Sequence, residues 1–383
     1  MKLVFISNYF NHHQKPFCDE MYQKLGADFT FISTTVMREE RRKLGYGQGE
    51  TPPYVLLSYE NEQKRSQAIS LINEADAVIA GGVPNEFLLE RIKRNQLLLR
   101  YAERPFKKPK SCLKKFYHAL AFRKRDLFKR NVYMLCASAY ATQDYASVGA
   151  YRNRTYKWGY FPAVKAYDVD ALLSKKKSNT IMWCGRFIDW KHPDDAIVLA
   201  RKLKDAGCDF QLNMVGTGEM EAQLHQLAEE LHVSDCVHFL GSMPPEQVRA
   251  HMESAGIYLH TSDRQEGWGA VLNESMNSGC AVVASHAIGS VPFLLRDGEN
   301  GAIYQSGDLD MLFDKVKYLL KYPAMQADYG HAAYQTMIDM WNAGVAADRI
   351  LQLIERLLAG EKHPCLFETG PCSVAKNIKN NGY

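Results

Sequence analysis

Two patterns of apolar positions alternate along the chain. Short unbroken apolar runs, each closed by a polar or glycine-bearing turn, read as strands buried on both faces of a parallel sheet. Between them apolar residues recur at three- and four-residue spacing, the period of a helix packed on such a sheet. The first run, Lys2-Leu3-Val4-Phe5-Ile6-Ser7, opens the chain, and a helix is expected over 17–25 with Phe17, Met21, Tyr22 and Leu25 on one side. Strands follow at 29–33, 77–80, 97–102 and 132–138, with helices over 62–73 and to about 148. A second series has strands at 180–184, 210–215, 237–240, 256–260 and 280–284. Its helices are expected at 194–206, to about 232, 245–254, 270–278, 309–320, past 325 and 346–358. Strand alternating with helix predicts an α/β fold, and 383 residues suffice for two domains with substantial cores.

The most informative turn follows the strand at 256–260. It reads Glu266-Gly267-Trp268-Gly269-Ala270-Val271 and leads into the helix that carries Glu274. Open α/β sheets bind ligands at the carboxyl ends of their strands. There Gly267 and Gly269 would let backbone approach a ligand, and the helix start offers free N–H groups to a phosphate or sugar oxygen. Carboxylates accept hydrogen bonds from paired hydroxyls such as those of a ribose or hexose. A second turn, Gly185-Arg186 with Lys191 five residues on, places two cations at the end of the strand at 180–184. An arginine fork and a lysine point charge suit phosphate oxygens. Gly216-Thr217-Gly218 lacks the third glycine of a dinucleotide fingerprint.

Two glutamates separated by seven residues around Gly-Trp-Gly, with the Gly-Arg and lysine turn, closely resemble the retaining nucleotide-sugar glycosyltransferases of family 4. The resemblance is strong from about Trp158 to Arg349 and weak before it. It implies two Rossmann-like domains facing across a cleft, the GT-B arrangement, at 1–165 for the acceptor and 179–345 for the donor. A helix at 346–360 would return to the first domain, followed by a tail at 361–383. The charged run Lys175-Lys176-Lys177-Ser178 reads as the linker. By this resemblance Arg186 and Lys191 hold the diphosphate, Glu274 the ribose and Glu266 the transferred sugar. Amides of Gly267, Trp268, Gly269, Ala270 and Val271 meet sugar or phosphate oxygens. Gly185 and Gly216 line the donor, and Gly241, Ser242 and Met243 read the nucleobase. The nucleotide-sugar is a substrate, and neither a cofactor nor a metal is expected. Stereochemical retention rests on the resemblance alone.

The first domain departs from the family, whose first loop often carries glycines against the diphosphate; residues 8–16 have none. His12 and His13 stand there instead, placed to bind acceptor or steady the leaving phosphate. Gly82, in the turn after 77–80, and Glu103 and Arg104, closing the strand at 97–102, are the other acceptor-side candidates. The charged, glycine-bearing stretch 38–49 reads as a loop on the same side.

Net charge is only +4, which argues against nucleic acid as a partner. Yet residues 104–130 hold a dense run of Lys and Arg, opposed only by Asp126 and interleaved with Phe106, Phe116, Tyr117, Leu120, Phe122 and Phe128. Basic and apolar residues together suit an anionic lipid surface. Nine cysteines without a Cys-x-x-Cys pair read as a reducing compartment. No apolar run is long enough to span a bilayer, and no signal peptide precedes the first strand. The expectation is a cytoplasmic enzyme peripheral to the inner face of the cell membrane, acting on a lipid-linked or glycan acceptor. The rivals are a GT-B sugar-nucleotide epimerase or phosphorylase, and a catalytically silent partner subunit.

Overall fold

The computed structural model describes residues 1–37, 50–108 and 111–378. The stretch expected as an acceptor-side loop, 38–49, lies outside the described residues, as does Lys110 of the basic run. The chain forms two units, Met1–Ala163 with Asn342–Gly382, and Val164–Trp341.

The first unit is built on seven parallel strands: β1 (Leu3–Ser7), β2 (Phe29–Ser33), β3 (Val55–Leu57), β4 (Ala77–Ala80), β5 (Leu98–Ala102), β6 (Val132–Cys136) and β7 (Thr155–Lys157). Their order is β3-β2-β1-β4-β5-β6-β7. Every residue of β1, β4 and β6 is buried, which is why these strands read as unbroken apolar runs rather than alternating ones. The outermost strands β3 and β7 have three residues each, too few for any periodicity to show. The strand order reverses direction between β1 and β4, so the loops after these two strands flank the switch point where such sheets take ligands.

The helix Ala343–Leu358 also belongs to this unit and packs on the helix Lys15–Leu25. It buries Ile350, Leu353, Ile354 and Leu357 on one stripe. The segment expected as a tail is tied down where it is described. Cys372 N–H donates to the Lys157 carbonyl at 2.8 Å and Ala375 N–H to that of Thr155 at 3.0 Å. The hydroxyls of Tyr133 and Tyr156 donate to the carbonyls of Lys362 and Pro364, both at 3.1 Å.

The second unit holds six parallel strands: β8 (Lys177–Cys184), β9 (Gln211–Val215), β10 (Val237–Gly241), β11 (Ala255–His260), β12 (Ala281–Ser285) and β13 (Ala302–Tyr304), ordered β10-β9-β8-β11-β12-β13. The expected linker at 175–178 is corrected. The unit starts at Val164, Lys177 opens β8, and Lys176 is partly buried. Its ammonium donates to the carbonyls of Met252 at 3.0 Å and Ala255 at 2.9 Å, at the end of the helix Pro245–Ser254. A lysine that caps a helix C-terminus looks, in sequence, like one that faces water. Here the switch point lies between β8 and β11.

Candidate functional site

The turns singled out in the second unit all lie at the carboxyl ends of its strands. β8 and β11 are neighbours, with Met182 beside Tyr258 and Trp183 beside Leu259, so the loops that continue them run side by side. Three hydrogen bonds stitch these loops together. The Thr261 hydroxyl accepts from Trp183 Nε1 at 2.8 Å and donates to the Lys191 carbonyl at 2.7 Å. Asp263 N–H donates to the Trp190 carbonyl at 2.9 Å.

This places Lys191 Nζ 2.5 Å from Glu266 Oε2, and Ser262 Oγ donates to the same oxygen at 3.1 Å. Burial opposes ionisation of Glu266, but Lys191, His260 and the two hydrogen bonds outweigh it and hold the carboxyl below its ordinary value. Arg186, five residues before Lys191, is exposed and pairs with no carboxylate among the described residues. The site therefore has one cation committed to a carboxylate and one turned outward.

Glu274 lies on the short helix Val271–Asn277. Burial raises its carboxyl, with Arg249 opposing. Arg249 Nη1 is spent on the Glu274 carbonyl at 3.0 Å and Asn277 Oδ1 at 2.9 Å. The carboxyl faces the end of β8: burial, with the charge of Glu274 adding, pushes the Cys184 thiol up to about 12. The two glutamates are thus displaced in opposite directions, a pattern that separates the roles of paired carboxyls in catalytic sites.

The glycines serve the protein's own packing first. Gly269 has φ +81°, and a Cβ there would stand 2.6 Å from His260 Cε1. Gly216 has φ +140°, and a Cβ there would stand 1.8 Å from the Gly185 carbonyl oxygen. Gly216 N–H donates to the Gly241 carbonyl at 2.8 Å, so Gly185, Gly216 and Gly241 knit three strand ends together. Beyond Gly241, Ser242 is exposed and Met243 half-buried.

Gly267 is buried, while Ala270 and Val271 are partly exposed at the start of the helix. The Trp268 side chain points into the core. It is 0% exposed, donates Nε1–H to Asn273 at 2.9 Å and packs on Trp341 at 5.8 Å. It anchors the loop from below and presents no ring to a ligand.

Residues 165–336 match the family of glycosyl transferases group 1. Every second-unit site residue falls within that range. Among similar proteins, the amylovoran biosynthesis glycosyltransferase AmsK of Erwinia amylovora is 29% identical over 185 residues, 46% of this chain and 44% of that one. A GDP-mannose-dependent phosphatidylinositol monomannoside mannosyltransferase of Mycolicibacterium smegmatis is 27% identical, over 45% of this chain and 47% of its own. The chain thus spans about half the length of the curated relatives it matches. Anabaena HepE, solved in complex with UDP, superposes with a TM-score of 0.67 at 15% identity, covering 93% of this chain and 100% of that one. That likeness shows the fold, two Rossmann-like domains of the GT-B class.

The remaining candidates belong to the first unit. The rings of His12 and His13 lie 3.9 Å apart, and His13 stacks on Tyr160 at 5.9 Å. The Tyr160 hydroxyl donates to Glu103 at 2.8 Å, so His12, His13 and Glu103 form one group at the ends of β1 and β5. Burial lowers the pKa of His12. Gly82 is exposed, with open space where a Cβ would stand. Arg104 is a correction: it is 4% exposed, pairs with Asp144 at 3.1 Å and lies over the Tyr140 ring. A buried, paired guanidinium holds the fold and cannot greet an acceptor.

Asp126 is buried against Arg100 at 2.5 Å, and of the basic run it meets Arg125 at 3.5 Å. The helix Cys112–Arg125 has no fully buried residue, and Ala119 and Phe122 pack on the core from its inner side. Leu113, Phe116, Tyr117 and Leu120 are 84%, 67%, 70% and 47% exposed, and their spacing makes one helical stripe.

The residues around Glu266 that sequence reading missed are Ser262, Thr261, His260 and Trp183. Their signal was position, at the last residues of a strand and the first of a loop. Among the described residues, His192, Asp194 and Asp195 bring ligand atoms within 4.8 Å of one another, directly after Lys191.

Proposed function

We propose that the chain is a retaining glycosyltransferase that moves a sugar from a UDP- or GDP-sugar to a hydroxyl on a lipid-linked or glycan acceptor in cell-envelope polysaccharide or glycolipid assembly. The observation that carries this reading is the set Arg186, Lys191 and Glu266, gathered where the strand order of the second unit reverses. A departing nucleoside diphosphate carries two to three negative charges. Arg186 offers it a planar fork and Lys191 a point charge, which lowers the barrier without a step through a metal. Glu266 accepts hydroxyls of the transferred sugar, and Glu274 those of the ribose. Amides of 267–271 meet the remaining oxygens, and the glycine-edged loop at 241–243 borders the base. His12, His13 and Glu103 receive the acceptor.

The named activities of relatives support this direction: polysaccharide assembly for the Erwinia protein and a phosphatidylinositol-linked acceptor for the Mycolicibacterium one. Among the described residues no helix is long and apolar enough to cross a membrane. Membrane contact, at the cytoplasmic face, is assigned to the exposed stripe of the helix Cys112–Arg125, flanked by Lys114, Arg123 and Lys124. Such a helix lies in the interface, its apolar side chains among acyl chains and its lysines among anionic headgroups.

A thermal-shift screen against UDP, GDP, ADP, CMP and their common sugar conjugates tests the donor site. Ligand at a hundred times its dissociation constant adds about 2.7 kcal/mol. A shift with one nucleotide and its sugar is expected. No shift in a folded sample would favour a silent partner subunit. Altered donor formed without any acceptor would favour an epimerase.

A further inference from the structure

Directly beneath the Glu266 loop lies His260, the last residue of β11. It is 3% exposed, and neither ring nitrogen has a hydrogen-bond partner. Burying an imidazole with both nitrogens unpaired is costly, so its retention beside the site needs a reason. Its Nε2 stands 4.0 Å from Glu266 Oε2, about 1 Å beyond a hydrogen bond. The Gly269 turn lies close to the ring: a Cβ there would stand 2.6 Å from Cε1 and 3.2 Å from Nε2. Glu266 is held meanwhile by Lys191 and Ser262. A diphosphate outweighs a single carboxylate as a partner for the Lys191 ammonium, so a bound donor would take from Glu266 its strongest contact.

We propose that His260 is a positioning residue for Glu266: once a donor diphosphate engages Lys191, the imidazole N–H becomes the donor that keeps the Glu266 carboxylate in register for the sugar. The inference rests on the assignment of Lys191 to the diphosphate. The ring is suited to the task because it stays neutral. Burial pushes its pKa down to about 4, with Glu266 opposing and Lys191 adding, so it offers one N–H at neutral pH without placing another fixed charge in the site.

The test uses the full chain labelled with ¹⁵N-histidine, with UDP, GDP, ADP and CMP as probes and Tm as the check on binding. The His260 ring signals are identified by their loss in His260→Gln. Those signals are expected to move on saturation with whichever nucleoside diphosphate raises Tm. A raised Tm with unmoved His260 signals would overturn this inference and leave the nucleotide site standing. No rise in Tm with any probe would overturn both.

Kinetics with UDP-glucose or GDP-mannose give a second readout. His260→Phe is expected to lower kcat about tenfold while donor KM changes less than about twofold, and His260→Gln, which keeps an N–H, to recover most of the loss. Equal losses in both variants, or none in His260→Phe, would overturn the positioning role.

Discussion

Single side chains at the ends of β8 and β11 and on the helix Val271–Asn277 make up the candidate site, and their environments set testable limits. Glu274→Ala is expected to cut turnover at least about a hundredfold, since a lost hydrogen-bonding carboxylate costs several kcal/mol in a shielded site. Tm should hold, because among the described residues no hydrogen bond or ion pair is made by that carboxylate; a fully active variant would sink the assignment. Arg186→Ala should weaken nucleoside diphosphate binding by about tenfold or more, read by titration calorimetry, with little effect on stability because the side chain is exposed. His260 makes folding pH-dependent. Its folded pKa of about 4 lies below the ordinary 6.5, so the unfolded chain binds the extra proton between those values. The stability it contributes is whole above about pH 6.5 and is lost as pH falls towards 4, up to about 3 kcal/mol. Denaturant melts of wild type and His260→Phe across that range should diverge in slope; parallel profiles would contradict the neutral, buried imidazole. Arg186, Lys191, Glu266 and Glu274 stood out as candidates in sequence through their turns and the family resemblance those turns carry. That Lys191 and Glu266 hold each other was not, because their contact depends on β8 lying beside β11.

Elements fared unevenly for a physical reason. Strands buried on both faces, such as β1, β4 and β12, announce themselves as apolar runs. β3 and β7 fell below the length at which any period is visible. The basic run was seen as one feature, yet Arg104 and Asp126 proved to be core partners of Asp144 and Arg100. What remains is the helix Cys112–Arg125, whose apolar stripe points to solvent. Phe116→Glu combined with Tyr117→Glu should abolish co-sedimentation with anionic liposomes at low salt, since each acidic residue both removes apolar area and repels headgroups. The fold should survive because Phe116 and Tyr117 are 67% and 70% exposed. Undiminished co-sedimentation would exclude this stripe as the contact.

At the level of the whole chain, the two units have unequal debts to the C-terminus. The first is completed by Ala343–Leu358 and by the strapped segment over β7, whereas the second closes by Trp341. Truncation after Trp341 should therefore lower the stability of the first unit by exposing its Ile350, Leu353 and Ile354 partners, at roughly 25 cal/mol per Å² uncovered, and leave the second near its original value. Calorimetry would show one transition moving and one staying. Coincident shifts of both would mean the units are not stabilised separately.

Local pattern settled the α/β class and pointed to the two turns that hold the candidate donor site, because strand burial and turn chemistry are written in neighbouring residues. Partnership across the chain was settled by folding alone. Lys176 became a helix cap instead of a linker, Trp268 an anchor and Arg104 a core ion pair, while His260 came to stand under Glu266. A side chain's charge or ring is visible in sequence, but whether water, a backbone carbonyl or an opposite charge meets it depends on which strands lie side by side.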